Sequence, residues 1–242
     1  MPWIEHDHTS SDALVAHLVD ALIDASHHAT REHRSAWLAL AGGRTPLPIY
    51  AALAKALPSA SLTVIPTDER CVPDTHPASN AAALRAVFSG NAGIVVNPLT
   101  REDGDTQASL KQTLAMLALN QQPFDAVLLG MGADGHFASL FLGADNLAEG
   151  LALDSQTDAI ATLPDPLPPE APFARISLTL PRLLRASALH LVVTGDDKRR
   201  VLRQAQHQDA AGARPVGKYP VAALLHAHDP YLQAPVQIHW SP

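Results

Sequence analysis

Four short stretches put polar, reactive groups directly after apolar runs, and each suggests a piece of chemistry. Gly42-Gly43-Arg44-Thr45-Pro46 follows the run 36–40. Its glycines would let backbone approach a ligand closely, and a helix beginning near Pro46 would offer free N–H groups and a partial positive charge. Arg44 and Thr45 add donors, so the stretch favours an anion, most simply a phosphate. Asp134-Gly135-His136 follows the most hydrophobic run in the chain. An acid two residues before a histidine, across a glycine, can face the same pocket. Histidine suits proton transfer near neutral pH, with an unperturbed pKa of about 6.5. Thr194-Gly195 with Lys198 closes another run and sets a lysine on the first turn of a helix, in reach of a phosphate; Arg199 and Arg200 are expected in solvent. Asp68-Glu69-Arg70 follows the run 62–65, and three adjacent charges there are expected on a turn rather than in the core.

A nucleophile is harder to find. No Gly-x-Ser-x-Gly elbow is present. Ser139 lies three residues after His136, near enough for a hydrogen bond on a helical turn. Cys71 beside Arg70 reads as an inert small hydrophobe, which leaves water activated by His136 as the simplest nucleophile. The pairs His6/His8, His27-His28 and His226/His228 lack Cys or carboxylate partners at ligand spacing and read as surface residues, so no metal is expected.

Elements that could position these groups alternate along the chain. Apolar runs at 36–40, 62–65, 94–96, 124–129, 159–163, 175–178 and 189–194 read as strands. Helical spacing appears at 11–33, with Ser10 and Ser11 as caps, and at 46–56, 79–88, 106–120 and 196–207. Apolar strands alternating with helices imply an α/β fold, a mostly parallel sheet with helices on both faces. The Pro-rich stretch 164–172 and the stretch 212–217 read as surface loops of a single domain, 1–242.

Composition narrows the classes. The 242 residues carry 17 Lys+Arg against 24 Asp+Glu, a formal charge of −7, so there is no basic footprint for nucleic acid or an anionic membrane surface. No run approaches a membrane span, one cysteine cannot form an internal disulfide, and residues 1–11 lack the basic-then-apolar order of a signal peptide. A cytoplasmic protein is expected. Nothing in the residues sets the oligomeric state, and a monomer is compatible with them.

Two motifs mislead. Gly130, Gly132 and Gly135 satisfy G-x-G-x-x-G, but Asp134 would face the pyrophosphate charge and the loop does not open the first βαβ unit. Gly212, Gly217 and Lys218 fit G-x-x-x-x-G-K, but Tyr219 replaces the hydroxyl that would hold Mg²⁺.

Taken together, the residues resemble a known family. The set Gly42–Pro46, then Asp68-Glu69-Arg70-Cys71-Val72-Pro73 with Ser79-Asn80 and Arg85, then Leu129–Phe141 closely resembles the 6-phosphogluconolactonase family, in the same order. Arg175 and Thr194-Gly195-x-x-Lys198 match family positions as well. Leu142 stands where the family usually has proline, a difference expected to alter only the helix that follows. The resemblance implies a modified Rossmann-like α/β fold and hydrolysis of 6-phospho-D-glucono-1,5-lactone, a sugar-phosphate lactone, without metal or organic cofactor. It implies His136 as the general base and Asp134 as its orienting acid. Arg70, with Asp68 holding its loop, would stabilise charge on the lactone oxygen. Gly42, Gly43, Arg44, Thr45, Ser139, Arg175 and Lys198 would bind phosphate or sugar hydroxyls.

Glucosamine-6-phosphate deaminase shares the fold, but its histidine is followed by a segment carrying a glutamate. Here Phe137-Ala138-Ser139-Leu140-Phe141 has no carboxylate, and Arg70 replaces that enzyme's tyrosine. A sugar-phosphate sensor would need a DNA-binding segment, and residues 1–35 show no helix-turn-helix pattern.

Overall fold

The computed structural model describes residues 3–32, 34–57, 61–169, 171–208, 218–227 and 235–242. The expected loop 212–217 and His228 lie outside these residues. In chain order the elements are β1 (Trp3–Asp7), α1 (Ser11–Arg31), β2 (Ala36–Leu40), α2 (Leu47–Ala56), β3 (Leu62–Pro66), β4 (Asp68–Arg70), α3 (Asn80–Phe88), β5 (Ile94–Val96) and α4 (Thr106–Leu119). There follow β6 (Ala126–Gly130), α5 (Leu147–Leu151), β7 (Ala159–Thr162), β8 (Arg175–Leu178), α6 (Leu180–Leu184), β9 (Leu189–Thr194), α7 (Asp196–Gln206), α8 (Val221–Leu225) and β10 (Val236–Ser241).

Seven strands form one sheet in the order β1-β10-β9-β6-β2-β3-β5, every pairing parallel. Both faces are covered, so its central strands are apolar on each side. In β2, Leu38 and Leu40 face a cluster with Leu14, Leu18 and Leu22 of α1 and Ile49, Tyr50 and Leu53 of α2. Trp37 and Ala39 face the opposite cluster, with Leu183, Leu202 and Leu224 of α6, α7 and α8. Ser10 caps α1 as expected, accepting from Ala13 N at 3.2 Å.

The runs 159–163 and 175–178 do form strands, but they leave the main sheet. With β4 they make a separate antiparallel sheet, β4-β8-β7, whose Ile160, Ile176 and Leu178 pack into the second cluster. This sheet carries Asp68, Arg70 and Arg175 to the mouth of the larger one.

Strand order fixes where a ligand can sit. From β2 the chain steps outward to β3 and β5, then returns to β6 on the other side of β2 and steps away through β9 and β10. The connections after β2 and β6 therefore diverge, leaving a crevice at the carboxyl ends of these strands.

Candidate active site

A crevice of about 360 Å³ opens at this switch point. Gly42, Gly43, Arg44 and Thr45 after β2, Asp68 and Arg70 of β4, His136 after β6, Arg175 of β8 and Lys198 of α7 all line it. A larger cavity of about 690 Å³, bordered by His28, Glu32, Arg34 and Trp37, contains none of these residues.

The loop after β6 is shaped around one hydrogen bond. His136 Nδ1 lies 2.5 Å from Asp134 Oδ1, and the His136 backbone N–H approaches the same oxygen at 3.3 Å. Burial pushes the Asp134 carboxyl up, but the bonds and charge of His136 outweigh it and hold the group below its ordinary value. An ionised carboxylate only accepts, so Nδ1 carries the proton and Nε2 keeps its lone pair. The ring also stacks on Phe141 with centroids 4.1 Å apart. A Cβ at Gly132 would sit 2.2 Å from this ring and 2.6 Å from the Asp134 carboxylate, so the dyad exists only because position 132 has no side chain. Gly135 adopts φ +77°, where an L side chain is strained.

The turn after β2 needs both its glycines. A Cβ on Gly42 would fall 2.0 Å from Asn80 Oδ1, and Gly43 has φ +91°. Pro46 makes no side-chain cap on α2, and Pro48 in the first turn has no N–H to satisfy. Arg44 and Thr45 are exposed at the crevice rim.

Asp68-Glu69-Arg70 corrects an expectation. Asp68 and Glu69 are buried and only Arg70 reaches the half-buried boundary. Glu69 earns its place as an internal cap: its carboxylate accepts from the backbone N–H of Arg70 at 2.8 Å, Asn80 at 2.7 Å and Ala81 at 2.6 Å, and from Ser79 Oγ at 3.2 Å. Burial still pushes its carboxyl up despite these bonds. Arg70 Nη1 donates to Ala78 O at 2.9 Å and Asn80 Oδ1 at 2.7 Å, and Asn80 Nδ2 donates to Asp68 O at 2.7 Å. The guanidinium is thus held at the crevice by Asn80 at the start of α3 and by the Ala78 carbonyl just before it.

Ser139 is a second correction. It is fully buried, makes no helical turn with His136, and does not line the crevice. Its Oγ donates to Asp68 Oδ2 at 2.5 Å and lies 3.4 Å from Arg175 Nη1, while its N–H donates to Ser177 Oγ at 3.1 Å. It ties the loop after β6 to the small sheet. Arg175 is itself almost wholly buried, 4.0 Å from Asp68 Oδ2, with Nη2 donating to Ala171 O at 3.1 Å. Lys198 is half-buried; burial lowers its pKa and the Asp134 charge raises it. Leu142 is exposed, and the next helix, α5, begins only at Leu147.

Two contributors escaped the sequence reading. Glu69 gave no signal beyond its charge. Tyr219 packs its ring against Gly135, and Val221 N donates to Gly135 O at 2.9 Å, so the C-terminal region supports the Asp134–His136 loop from behind. The histidine pairs also need correction: His6 and His8 are half-buried against α1, and His226 is half-buried beside Trp3. Among the described residues, His6, His17 and His239 form a group at metal-ligand spacing, and none of them lines the crevice.

The profile of the family described as glucosamine-6-phosphate isomerases/6-phosphogluconolactonase matches residues 9–232. A 6-phosphogluconolactonase from Mesorhizobium japonicum is 37% identical over 236 residues, spanning 95% of this chain and 91% of the relative. One from Pseudomonas putida is 33% identical over 241 residues, spanning 98% and 92%. The crystal structure of a 6-phosphogluconolactonase from Shewanella baltica superposes with a TM-score of 0.83 at 26% identity, covering 99% of this chain and 97% of that one. No described helix is long and apolar enough to cross a membrane.

Proposed function

The chain belongs to the glucosamine-6-phosphate isomerase/6-phosphogluconolactonase family, and from that premise we infer that it hydrolyses 6-phospho-D-glucono-1,5-lactone to 6-phosphogluconate in the oxidative pentose phosphate pathway. The observation that carries this reading is the Asp134–His136 dyad facing a crevice whose other charged walls are Arg44, Arg70, Arg175 and Lys198. Water on His136 Nε2 loses a proton to the imidazole as its oxygen adds to the lactone carbonyl carbon. The bond from that carbon to the ring oxygen then breaks, and the ring oxygen takes the proton back from the imidazolium. Asp134 holds the ring in the right tautomer and stabilises the imidazolium. Arg70 and its neighbours offset negative charge on the carbonyl oxygen in a partly dehydrated site.

The carbonyl of a lactone needs only a positioned base and oxyanion donors, so this scheme uses no metal and no organic cofactor. Lys198, Arg175 and the Gly42–Thr45 turn remain for the phosphate. We place the enzyme in the cytoplasm, acting on a free metabolite and not on nucleic acid; a single subunit supplies every group in the scheme.

The deaminase reading lacks a residue. Phe137 and Leu140 after the histidine are buried apolar groups, and Phe141 packs on the His136 ring. The test is direct. After dialysis against a strong chelator, the protein should consume 6-phosphogluconolactone well above the spontaneous rate and release no ammonia from glucosamine 6-phosphate. Ammonia release, or lactone loss at the spontaneous rate, would reverse the assignment.

A further inference from the structure

Away from the crevice, four histidines from four elements, with His8 just after β1, converge on one face of the sheet. His6 of β1, His239 of β10 and His190 of β9 project from the same side, because His6 is in register with His239, and His239 lies two residues beyond Gln237, the partner of His190. His8 follows two residues after His6 on that face, and His17 of α1 packs over them. Ring centroids of His6, His17 and His239 lie 4.7, 5.0 and 5.1 Å apart. Their candidate ligand nitrogens are all within 4.8 Å of one another.

We propose that His6, His17 and His239 form a binding site for a borderline first-row divalent cation of the Zn²⁺ type, clamping α1 onto the β1–β10 edge of the sheet. Imidazoles bound to one tetrahedral Zn²⁺ through bonds of about 2.0–2.1 Å have ring centroids about 5 Å apart, which the cluster already matches. Their nitrogens would stand about 3.3 Å apart, so binding requires ring rotations, which exposed His17 and half-buried His6 can make. The fourth position goes to water or to His8, whose ring is 5.2 Å from His17 and 5.5 Å from His239.

Donor chemistry selects the ion. The ligand set is all imidazole, which suits Zn²⁺, Cu²⁺ or Ni²⁺ and not Mg²⁺ or Ca²⁺. Metal ligation needs neutral rings. Burial, with repulsion from the other histidines, holds His239 far below its ordinary value. The second shell is supplied as well. With His239 Nδ1 as the ligand, its Nε2 stays paired with His190 Nδ1 at 3.1 Å, and Gln237 Oε1, 2.7 Å from His6 Nε2, leaves His6 Nδ1 to the cation; His8 Nε2, 3.2 Å from His239 Nδ1, stands beside the fourth position. Among the described residues, buried His190 Nε2 has no hydrogen-bond partner, so the hydrogen bonds within this cluster of bases leave it incompletely satisfied.

The experiment titrates ZnCl₂ into the chelator-treated full chain by calorimetry, with thermal unfolding in parallel. One Zn²⁺ per chain should bind, and saturation at about 100 times the Kd should raise Tm by roughly 5–10 °C. His17→Asn, at an exposed position on α1, should fold, keep lactone hydrolysis unchanged and lose at least ten-fold in affinity; His6→Gln should do the same. Co²⁺ should give the d–d absorption of a four-coordinate nitrogen site in the wild type only. No binding overturns the proposal. So does binding of undiminished affinity in His17→Asn, or binding abolished by replacing His27 and His28 instead.

Discussion

At the scale of single residues, the proposed scheme separates a proton-moving dyad from a set of cations. Asp134 and His136 form the dyad, and the Nδ1–Oδ1 bond settles which nitrogen is free. Lys198 stands apart from the reacting carbon in the proposed scheme and holds the phosphate equally in ground and transition states, so Lys198→Ala should raise KM with little change in kcat. A hydrogen bond to a charged group in a partly dehydrated pocket contributes about 1.5–3 kcal/mol, or roughly ten- to a hundred-fold in kcat/KM. Steady-state kinetics check this. A fall in kcat at constant KM would put Lys198 in the chemistry instead. Residue types and spacing made most of this set legible: Gly42–Thr45, Arg70, His136, Arg175 and Lys198 do line one crevice. The place of Ser139 is not legible in the sequence because its hydroxyl is claimed by Asp68, 71 residues earlier, a contact no local pattern encodes. The burial of Glu69 is hidden for the same reason: a buried carboxylate is tolerable only with donors such as Asn80 N and Ala81 N, which folding brings to it.

At the scale of elements, three strand ends and one small sheet aim these side chains. The turn after β6 is the most demanding, since Gly132 makes room for the dyad and Gly135 takes a left-handed conformation against Tyr219. Gly132→Ala should leave the fold intact, because the clash falls on side chains, yet lower kcat roughly a hundred-fold by displacing the His136 ring by an ångström or so. Far-ultraviolet circular dichroism and kcat, measured together, check both halves. Strands such as 36–40 and 189–194 were legible because burial on both faces makes them continuously apolar. The edge strand β1 and its neighbour β10 were not, since His6, Gln237 and His239 interrupt the apolar pattern, and their pairing joins opposite ends of the chain. Helices α5, α6 and α8 have five residues each, too few to show a helical period.

At the scale of the whole molecule, topology and charge distribution act together. The strand order reverses between β2 and β6, and the glycine-rich turns and the cations of the crevice gather there. The chain carries a net charge of −7, while the crevice presents Arg44, Arg70, Arg175 and Lys198 against Asp68. Such local inversion of sign concentrates an anionic substrate at the mouth of an otherwise acidic protein. The α/β class and parallel sheet followed from alternation of apolar runs and helices. The second sheet did not, because β7 and β8 carry the same apolar signature as the main strands and only their antiparallel pairing with β4 distinguishes them.

His136 as the base that activates water is the centre of the proposed mechanism. The decisive measurement is kcat for 6-phosphogluconolactone hydrolysis by His136→Ala, corrected for the spontaneous rate, on protein shown to be folded. A positioned general base is worth about 10²–10⁴-fold, so kcat should fall by that factor while KM changes little. Turnover within a few-fold of wild type in the folded variant would contradict the account and remove His136 from the mechanism.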